Sequence, residues 1–319
     1  MVPMNPTRAA LAGLALAVTT AAASAQTYPT KRINFVVGFA AGGFADTFGR
    51  AMSQKLKDSL GQTITVENRA GAGGNTAAAS VAGADPDGYT VLVTTTALAI
   101  NHTLYKKLDY KTEDLRAVAI PAGSPESIAS HPSKGKSLKD FLEQAKGREI
   151  TLGSAGVGTG SHLAAAYFFQ EIAKVKANHV PFRGGAPAVQ AAVGAQIDVV
   201  ASSFGVIPQV QRGALTGLAV ASAERLTVAP QLPTYAESGY PFEAASWVGF
   251  FVPAKTPDAV VARLNAALNA AIEDEATRKH LLGQGFQLTV RDPAASQAFV
   301  RSEIDKWGKM VKTLDVSVE

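Results

Sequence analysis

The sequence predicts an α/β protein built from two lobes. Apolar, β-branched runs alternate with amphipathic helical stretches along the chain, a pattern typical of mainly parallel sheets flanked by helices. Two Gly-rich turns, within Phe35–Arg50 and Ile150–Leu163, each separate such a run from a helix in a different half of the chain. There is no Cys, so the fold depends on its apolar core, and the 47% hydrophobic content is ample for two domains.

Residues 1–25 have the pattern of a secretory signal peptide. Met1–Arg8 carries one positive charge, Ala9–Val18 is apolar, and Ala23-Ser24-Ala25 is a small-residue cleavage pattern. A membrane anchor is the alternative, but the apolar core is short and rich in Ala. We therefore expect an exported protein whose mature chain starts near Gln26.

The first lobe is predicted to begin with three strands, each followed by a helix. The strands are Ile33–Val37, Ile64–Glu67 and Thr90–Thr94, and the helices are Asp46–Leu60, Asn75–Ala82 and Ala97–Tyr105.

A second series of elements begins after Ile120. Its predicted strands are Ser127–Ser130, Ile150–Ser154, His179–Phe182, Ile197–Ala201 and Gly217–Ala221, and its helices are Leu138–Lys146, Ser161–Val175, Ala186–Ala195 and Val206–Arg212.

The chain is expected to return to the first lobe after Ser246. A strand-like run at Gly249–Val252, a helix at Pro257–Asp274, a short run at Phe286–Val290 and a last helix at Ala294–Leu314 follow. With crossovers near Pro121 and Trp247, lobe 1 comprises residues 26–121 and 247–319, and lobe 2 comprises residues 122–246.

The two Gly-rich turns indicate an anion site between the lobes. Such a turn directs backbone N–H groups and the positive end of a helix at one point. Gly42 and Gly43 permit close approach of the backbone to a ligand. Asp46 is interpreted first as the N-cap of its helix and second as a ligand contact, which would favour an amine or hydroxyl on the ligand.

Other candidate site residues carry two interpretations. Thr94–Thr96 end the third predicted strand and Ser202–Phe204 end another, where a cleft should open, although threonines also simply suit strands. Arg183 fits either a second ligand carboxylate or a surface salt bridge.

Enzymatic and nucleic-acid functions have little support in the sequence. Ser161 and His162 are adjacent on a predicted helix and point apart, and no G-x-S-x-G motif is present. The five histidines show no metal-ligand spacing, and the nucleotide-binding Gly patterns are incomplete, so we expect no metal and no cofactor. A formal net charge of +4 over 319 residues does not favour nucleic-acid or membrane binding.

Seven ordered motifs between Tyr28 and Val318 resemble the Bug-type periplasmic receptors of tripartite tricarboxylate transporters. They are YPTKRINFVVGFAAGGFAD from Tyr28, VENRAGAGGN from Val66, DPDGYTVL from Asp85, LYKKLDY from Leu104, GSAGVGTGSHLAA from Gly153, HVPFRGGAPAV from His179 and EIDKWGKMVK from Glu303. The resemblance implies a two-lobed Venus-flytrap fold in the periplasm that captures a small carboxylate and delivers it to a membrane permease.

The resemblance also implies which residues hold the ligand, partly through bridging waters. The first set is Phe39, Ala41, Gly42, Gly43, Phe44 and Asp46; the second is Ser154, Thr159, Gly160, Ser161 and His162, with Phe182, Arg183 and Gly184 beside it. Thr95, Thr96, Ser202 and Phe204 complete the predicted site. His162 is interpreted equally as a packed support residue, and Ser161 as the cap of its helix that also donates to the ligand.

Two departures from the family pattern bear on the ligand. Phe44 stands where a small residue is common, and Gly38 where Pro often precedes the aromatic residue. A phenyl ring at the cleft mouth would stack on an aromatic acid of the phthalate type, unless Phe44 packs inward against the first helix. Aliphatic di- and tricarboxylates are the alternative ligands, and a sensor for a membrane kinase is the alternative role. We expect a monomer.

Overall fold

The computed structural model describes residues 28–314 and 316–318, so the expected signal peptide lies outside the described residues. Within them the chain forms two sheets flanked by helices, which confirms the predicted two-lobed α/β architecture. None of the helices in this part of the chain is long and apolar enough to cross a membrane.

Most of the predicted strands are present in the structure at or near their expected positions. Their bounds are β1 Ile33–Val37, β2 Ile64–Asn68, β3 Thr90–Thr95, β4 Leu115–Pro125, β5 Ser127–Ser130, β6 Ile150–Ser154, β7 Ala177–Pro181, β8 Val199–Ser202, β9 Thr216–Val220, β10 Ala245–Pro253 and β11 Gln287–Leu288.

The helices cover both sheets. They are α1 Phe44–Leu60, α2 Asn75–Ala82, α3 Ala97–Leu104, α4 Leu138–Ala145, α5 Gly160–Tyr167, α6 Gly185–Val193, α7 Val206–Gln211, α8 Asp258–Glu273, α9 Glu275–Gly283 and α10 Pro293–Leu314. The predicted single helix Ser161–Val175 is instead α5 followed by a π-helical segment, Phe168–Ile172.

The two sheets are mixed rather than mainly parallel, which corrects our expectation. In the six-stranded sheet, ordered β11-β4-β10-β3-β1-β2, only the pairs that β1 makes are parallel. In the five-stranded sheet, ordered β7-β6-β8-β5-β9, β5 runs antiparallel to both neighbours. Strand-helix alternation predicts parallel pairs, but it does not show the direction of strands that return from the other lobe.

Strand β4 was missed because it contains Pro121 and Gly123, which usually interrupt strands. In the structure, the register between β4 and β10 shifts around Ile120 and Pro121, so the missing Pro121 N–H falls at a bulge. Helix α9 was also missed, although Asp274 caps it by accepting a hydrogen bond from the Thr277 N–H at 2.9 Å.

Strands β4 and β10 connect the lobes. β4 leads directly into β5 of the other sheet, with only Glu126 between them, and β10 pairs with β4 along its length. The predicted crossovers at Pro121 and Trp247 both fall inside these two strands. The residue bounds of the lobes therefore stay a prediction, and β4 and β10 are the strands that join the two sheets.

Helix α1 shows how the apolar pattern places the site. Phe48, Met52 and Leu56 follow one another at intervals of four residues and are fully buried. This face packs on the first sheet, and each such side chain contributes about 1.5–3 kcal/mol by its burial. The N-terminus of α1 is thereby held at the carboxyl end of β1.

The C-terminal helix is joined to the crossover strand through a buried acid. Glu303 of α10 accepts hydrogen bonds from the indole N–H groups of Trp247 and Trp307, at 3.1 and 2.8 Å. All three side chains are buried, with Lys306 reaching the second carboxylate oxygen at 3.4 Å. The return of the chain to lobe 1 is therefore fixed by a polar contact as well as by apolar packing.

Replacing Glu303 by Ala should lower the free energy of unfolding by about 2–4 kcal/mol, because two buried indole N–H groups lose their acceptor. Urea denaturation followed by Trp fluorescence measures this. Asp305→Ala, at an exposed position of the same helix, is the matched control and should change stability by less than about 0.5 kcal/mol. Equal losses in the two variants would contradict the role assigned to Glu303.

Candidate functional site

Three helix N-termini meet between the lobes. Helix α1 follows the turn after β1, α5 follows the turn after β6, and α6 follows the turn after β7. The first N–H groups of a helix have no acceptor within the helix and carry partial positive charge. Gly43, Thr159 and Gly184, the residues before these three helices, all line one cavity. The arrangement therefore concentrates N–H donors from both lobes at one point.

The cavity is small and rich in hydroxyl groups. In this arrangement it measures about 30 Å³, room for one or two water molecules. The described residues that line it include six with a hydroxyl side chain and none with a charge: Phe39, Gly43, Phe44, Ala45, Thr95, Ala155, Thr159, Ser161, Gly184, Gly185, Ser202, Ser203 and Ser246. A ligand here meets hydroxyl groups, backbone N–H groups and two phenyl rings.

The lobes are closed over this cavity. The Ala40 N–H donates to the Arg183 carbonyl oxygen at 3.2 Å, which joins the turn after β1 to the turn after β7. On the other side of the cavity, the Ser124 hydroxyl donates to the Ser203 carbonyl oxygen at 2.6 Å.

Asp46 shapes the first turn from inside α1. The helix begins at Phe44 with Gly43 as its N-cap, so the predicted capping role of Asp46 is wrong. Instead, its carboxylate accepts hydrogen bonds from the Gly42 N–H at 2.8 Å, the Asn68 amide at 2.8 Å and Arg50 at 3.0 Å. Burial opposes ionisation, but these hydrogen bonds outweigh it and hold the pKa of Asp46 below its ordinary value. Gly42, at φ +77°, takes the left-handed conformation that this turn requires.

The turn after β6 is capped by Thr159 rather than by Ser161. The Thr159 hydroxyl accepts from the His162 N–H at 3.3 Å and donates to the Gly156 carbonyl oxygen at 2.7 Å. Ser161 lies in the first turn of α5, its hydroxyl 3.1 Å from that of Thr159. Because Thr159 is the N-cap, Ser161 is held at the cavity wall without a capping role.

A pair of stacked histidines supports this turn from behind. The His162 and His179 rings lie 3.8 Å apart, and His179 Nε2 is 2.6 Å from the Ser154 hydroxyl. Burial, and for His162 also the neighbouring His179, lowers the pKa of His162 to about 3, and burial lowers that of His179 to about 4. Ser154 is fully buried, and neither Ser154 nor His179 is among the residues that line the cavity.

Phe44 is packed rather than free at the cleft mouth. One face of its ring stacks on Phe286 with 5.0 Å between centroids, and Phe204 lies 6.3 Å away. Only 8% of Phe44 is exposed. The expected stacking on an aromatic ligand required an exposed ring, so the alternative of an inward-packed Phe44 describes the structure better. The ring still contributes to the cavity wall.

Arg183 lies at the outer opening of the cleft. This opening measures about 430 Å³ and shares Phe39 and Ala155 with the inner cavity. Its walls come from the Gly-rich segment 70–74 of lobe 1 and from the turns after β6 and β7 of lobe 2. Arg183 forms no ion pair with any acid among the described residues, so the surface salt bridge considered as its alternative role is not formed.

The structure divides the predicted site residues into two groups. Those that line the inner cavity are Phe39, Gly43, Phe44, Thr95, Thr159, Ser161 and Ser202. Those that lie behind it or at its rim are Ala41, Gly42, Asp46, Thr96, Ser154, Gly160, His162, Arg183 and Phe204. Thr96 links the lobe 1 sheet internally, since its hydroxyl accepts from the Trp247 N–H at 2.8 Å. Whether each residue contacts a ligand stays a prediction.

Sequence reasoning missed Ser246 and Glu126. Ser246 lines the cavity, and its hydroxyl donates to the buried Glu126 carboxyl. Both residues sit beside the predicted crossovers, and residues at a crossover necessarily lie between lobes. Their position beside the predicted crossovers was the sequence feature that could have identified them as site residues. Within residues 28–314 and 316–318, no group of acidic or His side chains is arranged to hold a metal ion.

Comparison with protein families gives a match over residues 48–316 to TctC, described as the tripartite tricarboxylate transporter family receptor. BugT of Bordetella pertussis is 33% identical over 97% of this chain and 98% of its own length.

Three solved structures are similar to this chain throughout. The periplasmic binding protein BugD has a TM-score of 0.87 at 31% identity, covering 92% of this chain and all of that one. MatC from Rhodopseudomonas palustris with bound malate has a TM-score of 0.85 at 32% identity, and the match covers 89% of this chain and 100% of that one. R. palustris Rpa4515 with adipate has a TM-score of 0.87 at 29% identity, and the match covers 91% of this chain and 99% of that one.

Replacing Gly43 by Val should abolish ligand binding while the protein stays folded. Gly43 has φ −83°, which Val tolerates, but a Cβ there faces the Gly185 N–H of the other lobe at 3.9 Å, so the larger side chain enters the cavity. Calorimetric titration with a ligand of the wild type should show affinity reduced at least about tenfold, a loss of about 1.4 kcal/mol. Gly83→Val, at φ −88° on the exposed end of α2, is the control. Full affinity in folded Gly43→Val would remove this turn from the site.

The stacked histidines should make the protein less stable in acid. Because the folded state holds the pKa of His162 at about 3, the unfolded chain binds more protons below about pH 6.5. Stability is therefore complete above about pH 6.5 and falls toward pH 3, by up to about 1.4 kcal/mol per pH unit for this residue. Urea denaturation at several pH values should show a shallower slope for His162→Phe. The same slope in His162→Phe and in the exposed-site control His280→Phe would contradict this.

Proposed function

Since this chain belongs to the tripartite tricarboxylate transporter receptor family, we propose that it is a periplasmic solute-binding receptor that captures a small carboxylate between its two lobes. The observation that carries this proposal is the convergence of three helix N-termini and six hydroxyl groups on one uncharged cavity. Such a site supplies hydrogen bonds and favourable dipoles to an anion from both lobes.

The lack of a charged side chain in the lining supports capture followed by release. A buried ion pair attracts strongly but requires both charges to lose water, whereas fixed backbone N–H groups carry out the same recognition without an unpaired charge in the empty site. Hydrogen bonds to charged groups contribute about 1.5–3 kcal/mol each. Several such bonds give useful affinity and are lost together when the lobes part.

Closure around the ligand is the proposed signal to the permease. The open form binds the anion to one lobe, and the contact Ala40–Arg183 then forms as the second lobe arrives. Strands β4 and β10, which join the lobes, serve as the hinge. We propose that the receptor acts as a monomer and presents this closed face to a tripartite tricarboxylate-type permease.

Two classes of carboxylate, aliphatic and aromatic, are each supported as the ligand by an observation. Similar receptors in solved structures hold malate and adipate, which favours an aliphatic dicarboxylate of four to six carbons. Phe39 and Phe44 in the cavity wall favour an aromatic acid of the phthalate type, through ring edges and van der Waals contact rather than through stacking on Phe44. The packed position of Phe44 makes the aliphatic acid our first choice.

A receptor role is also favoured over an enzymatic one. Ser154 and His179 form a hydrogen bond of the kind found between a nucleophile and its base, but neither residue lines the cavity. His162 is stacked on His179 rather than paired with Ser161. Nucleophilic catalysis would require one of these hydroxyl groups to meet both a base and the substrate.

The mature protein should gain thermal stability from at least one of malate, adipate, citrate and phthalate. A ligand at 100 times its dissociation constant adds about 2.7 kcal/mol of stability, because it binds only the folded state. Thermal unfolding with each acid, confirmed by calorimetry, measures this, with the neutral diamide of malate as the control for a carboxylate requirement. Stabilisation by the diamide alone, or by none of the acids, would contradict the proposal.

A further inference from the structure

Glu126 is a fully buried carboxyl group at the hinge, directly beneath the ligand cavity. It is the single residue between β4 and β5, and its backbone bonds to Ala244 and Ala221 on the neighbouring segments. Its Oε1 atom lies within hydrogen-bond distance of the Ser246 hydroxyl, and its Oε2 atom is buried without a hydrogen-bond partner among the described residues. Ser246 in turn lines the cavity.

Among the residues that the structure describes, none supplies a positive charge beside Glu126. From β10 it meets the Ser246 hydroxyl, and from the first turn of α5 it meets Gly160, where a Cβ atom would collide with both Ser246 and Glu126. The nearby titratable group is the Tyr235 phenol, whose pKa is raised first by its own burial and then by Glu126. His162, also in the first turn of α5, has a pKa of about 3 and is neutral at pH 7.

An ionised Glu126 would leave charge on a buried oxygen that has no donor, which is costly, whereas in the neutral acid Oε2 is only a carbonyl oxygen. Burial accordingly raises the pKa of Glu126 to about 8, against the smaller opposing effect of the Ser246 hydrogen bond. The neutral acid also has a proton to donate, and Ser246 is the acceptor within reach.

The protonation of Glu126 sets the direction of the Ser246 hydroxyl group. When Glu126 is ionised, the Ser246 O–H donates to it, and only lone pairs of Ser246 face the cavity. When Glu126 is neutral, its own O–H donates to Ser246, and the Ser246 O–H turns toward the cavity. Only the second arrangement gives a hydrogen-bond donor to an anionic ligand.

We propose that Glu126 is a positioning residue which, as a neutral acid, turns the Ser246 hydroxyl into a donor for the ligand's carboxylate, so that carboxylate binding is linked to protonation of Glu126. This inference rests on the proposed function. The proton comes from solvent wherever Glu126 is ionised in the ligand-free protein, and it returns to solvent on release. A second effect acts in the same direction, because an ionised Glu126 would repel the bound anion.

Affinity should therefore fall as pH rises through the pKa of Glu126. With adipate and malate as probes, calorimetry from about pH 6 to about pH 9 should show a dissociation constant that rises toward tenfold per pH unit above about pH 8. Titrations in two buffers of different ionisation enthalpy should show net proton uptake in that range.

The Glu126→Gln variant separates this linkage from other titrations. Its amide N–H₂ donates permanently to Ser246, so affinity at pH 7 should stay within about threefold of the wild type, while the rise above pH 8 and the proton uptake disappear. Glu143→Gln, which removes an exposed acid on α4, is the matched control and should keep both. Unchanged pH dependence and proton uptake in Glu126→Gln would overturn the proposal.

Ser246→Ala tests the relay through the hydroxyl. It should weaken adipate or malate binding at least about fivefold at pH 7, by loss of one hydrogen bond to a charged group. Unchanged affinity in this variant would overturn the assignment of Ser246 as the donor.

Infrared spectroscopy keeps this test independent of ligand identity. The difference spectrum between ligand-free wild type and Glu126→Gln at pH 7 should contain the carbonyl band of a protonated carboxylic acid, which fades as the pH is raised. If none of the acids binds, the proposed function fails and this spectrum still decides the state of Glu126. Absence of the protonated-acid carbonyl band at pH 7 would overturn the inference even if the protein binds carboxylates.

Discussion

Three helix N-termini converge on one cavity whose described lining residues carry no charge, and the rest of the structure depends on this convergence. The free N–H groups of a helix N-terminus belong to the backbone, so the turns that carry them must be brought to one point from two lobes. Gly42 takes the left-handed conformation in the first turn, and Thr159 caps the second. The sheets serve this arrangement, because strands β1, β6 and β7 each end where a helix start is required.

Strands β4 and β10 form the connection between the two sheets. They remain paired from Leu115 to Pro125, with register shifts near Pro121. Glu303 holds α10 against β10 through Trp247. The short stretch that follows β4 and begins β10 contains Glu126 and Ser246, the polar pair beside the cavity.

Two sets of polar side chains outside the cavity lining, a first layer behind the turn after β1 and a second behind the turn after β6, support these turns. Asp46 is paired with Arg50 and holds the first turn, and the stacked His162 and His179 hold the second in a neutral form. Neither layer places a formal charge in the cavity wall. The cavity wall therefore presents hydroxyl groups and backbone N–H groups on turns that these side-chain contacts hold in place.

The sequence alone determined the two-lobed α/β fold, most strand and helix positions and the two Gly-rich turns, because apolar periodicity and turn residues act locally. Strand direction, the bulged strand β4 and the cap at Thr159 depend on neighbours distant in sequence, which local patterns do not record. The same holds for Phe44, whose environment is set by Phe286, 242 positions farther along the chain. Glu126 and Ser246 became a pair only when β4 and β10 came together, since their proximity is a property of the hinge and not of either segment.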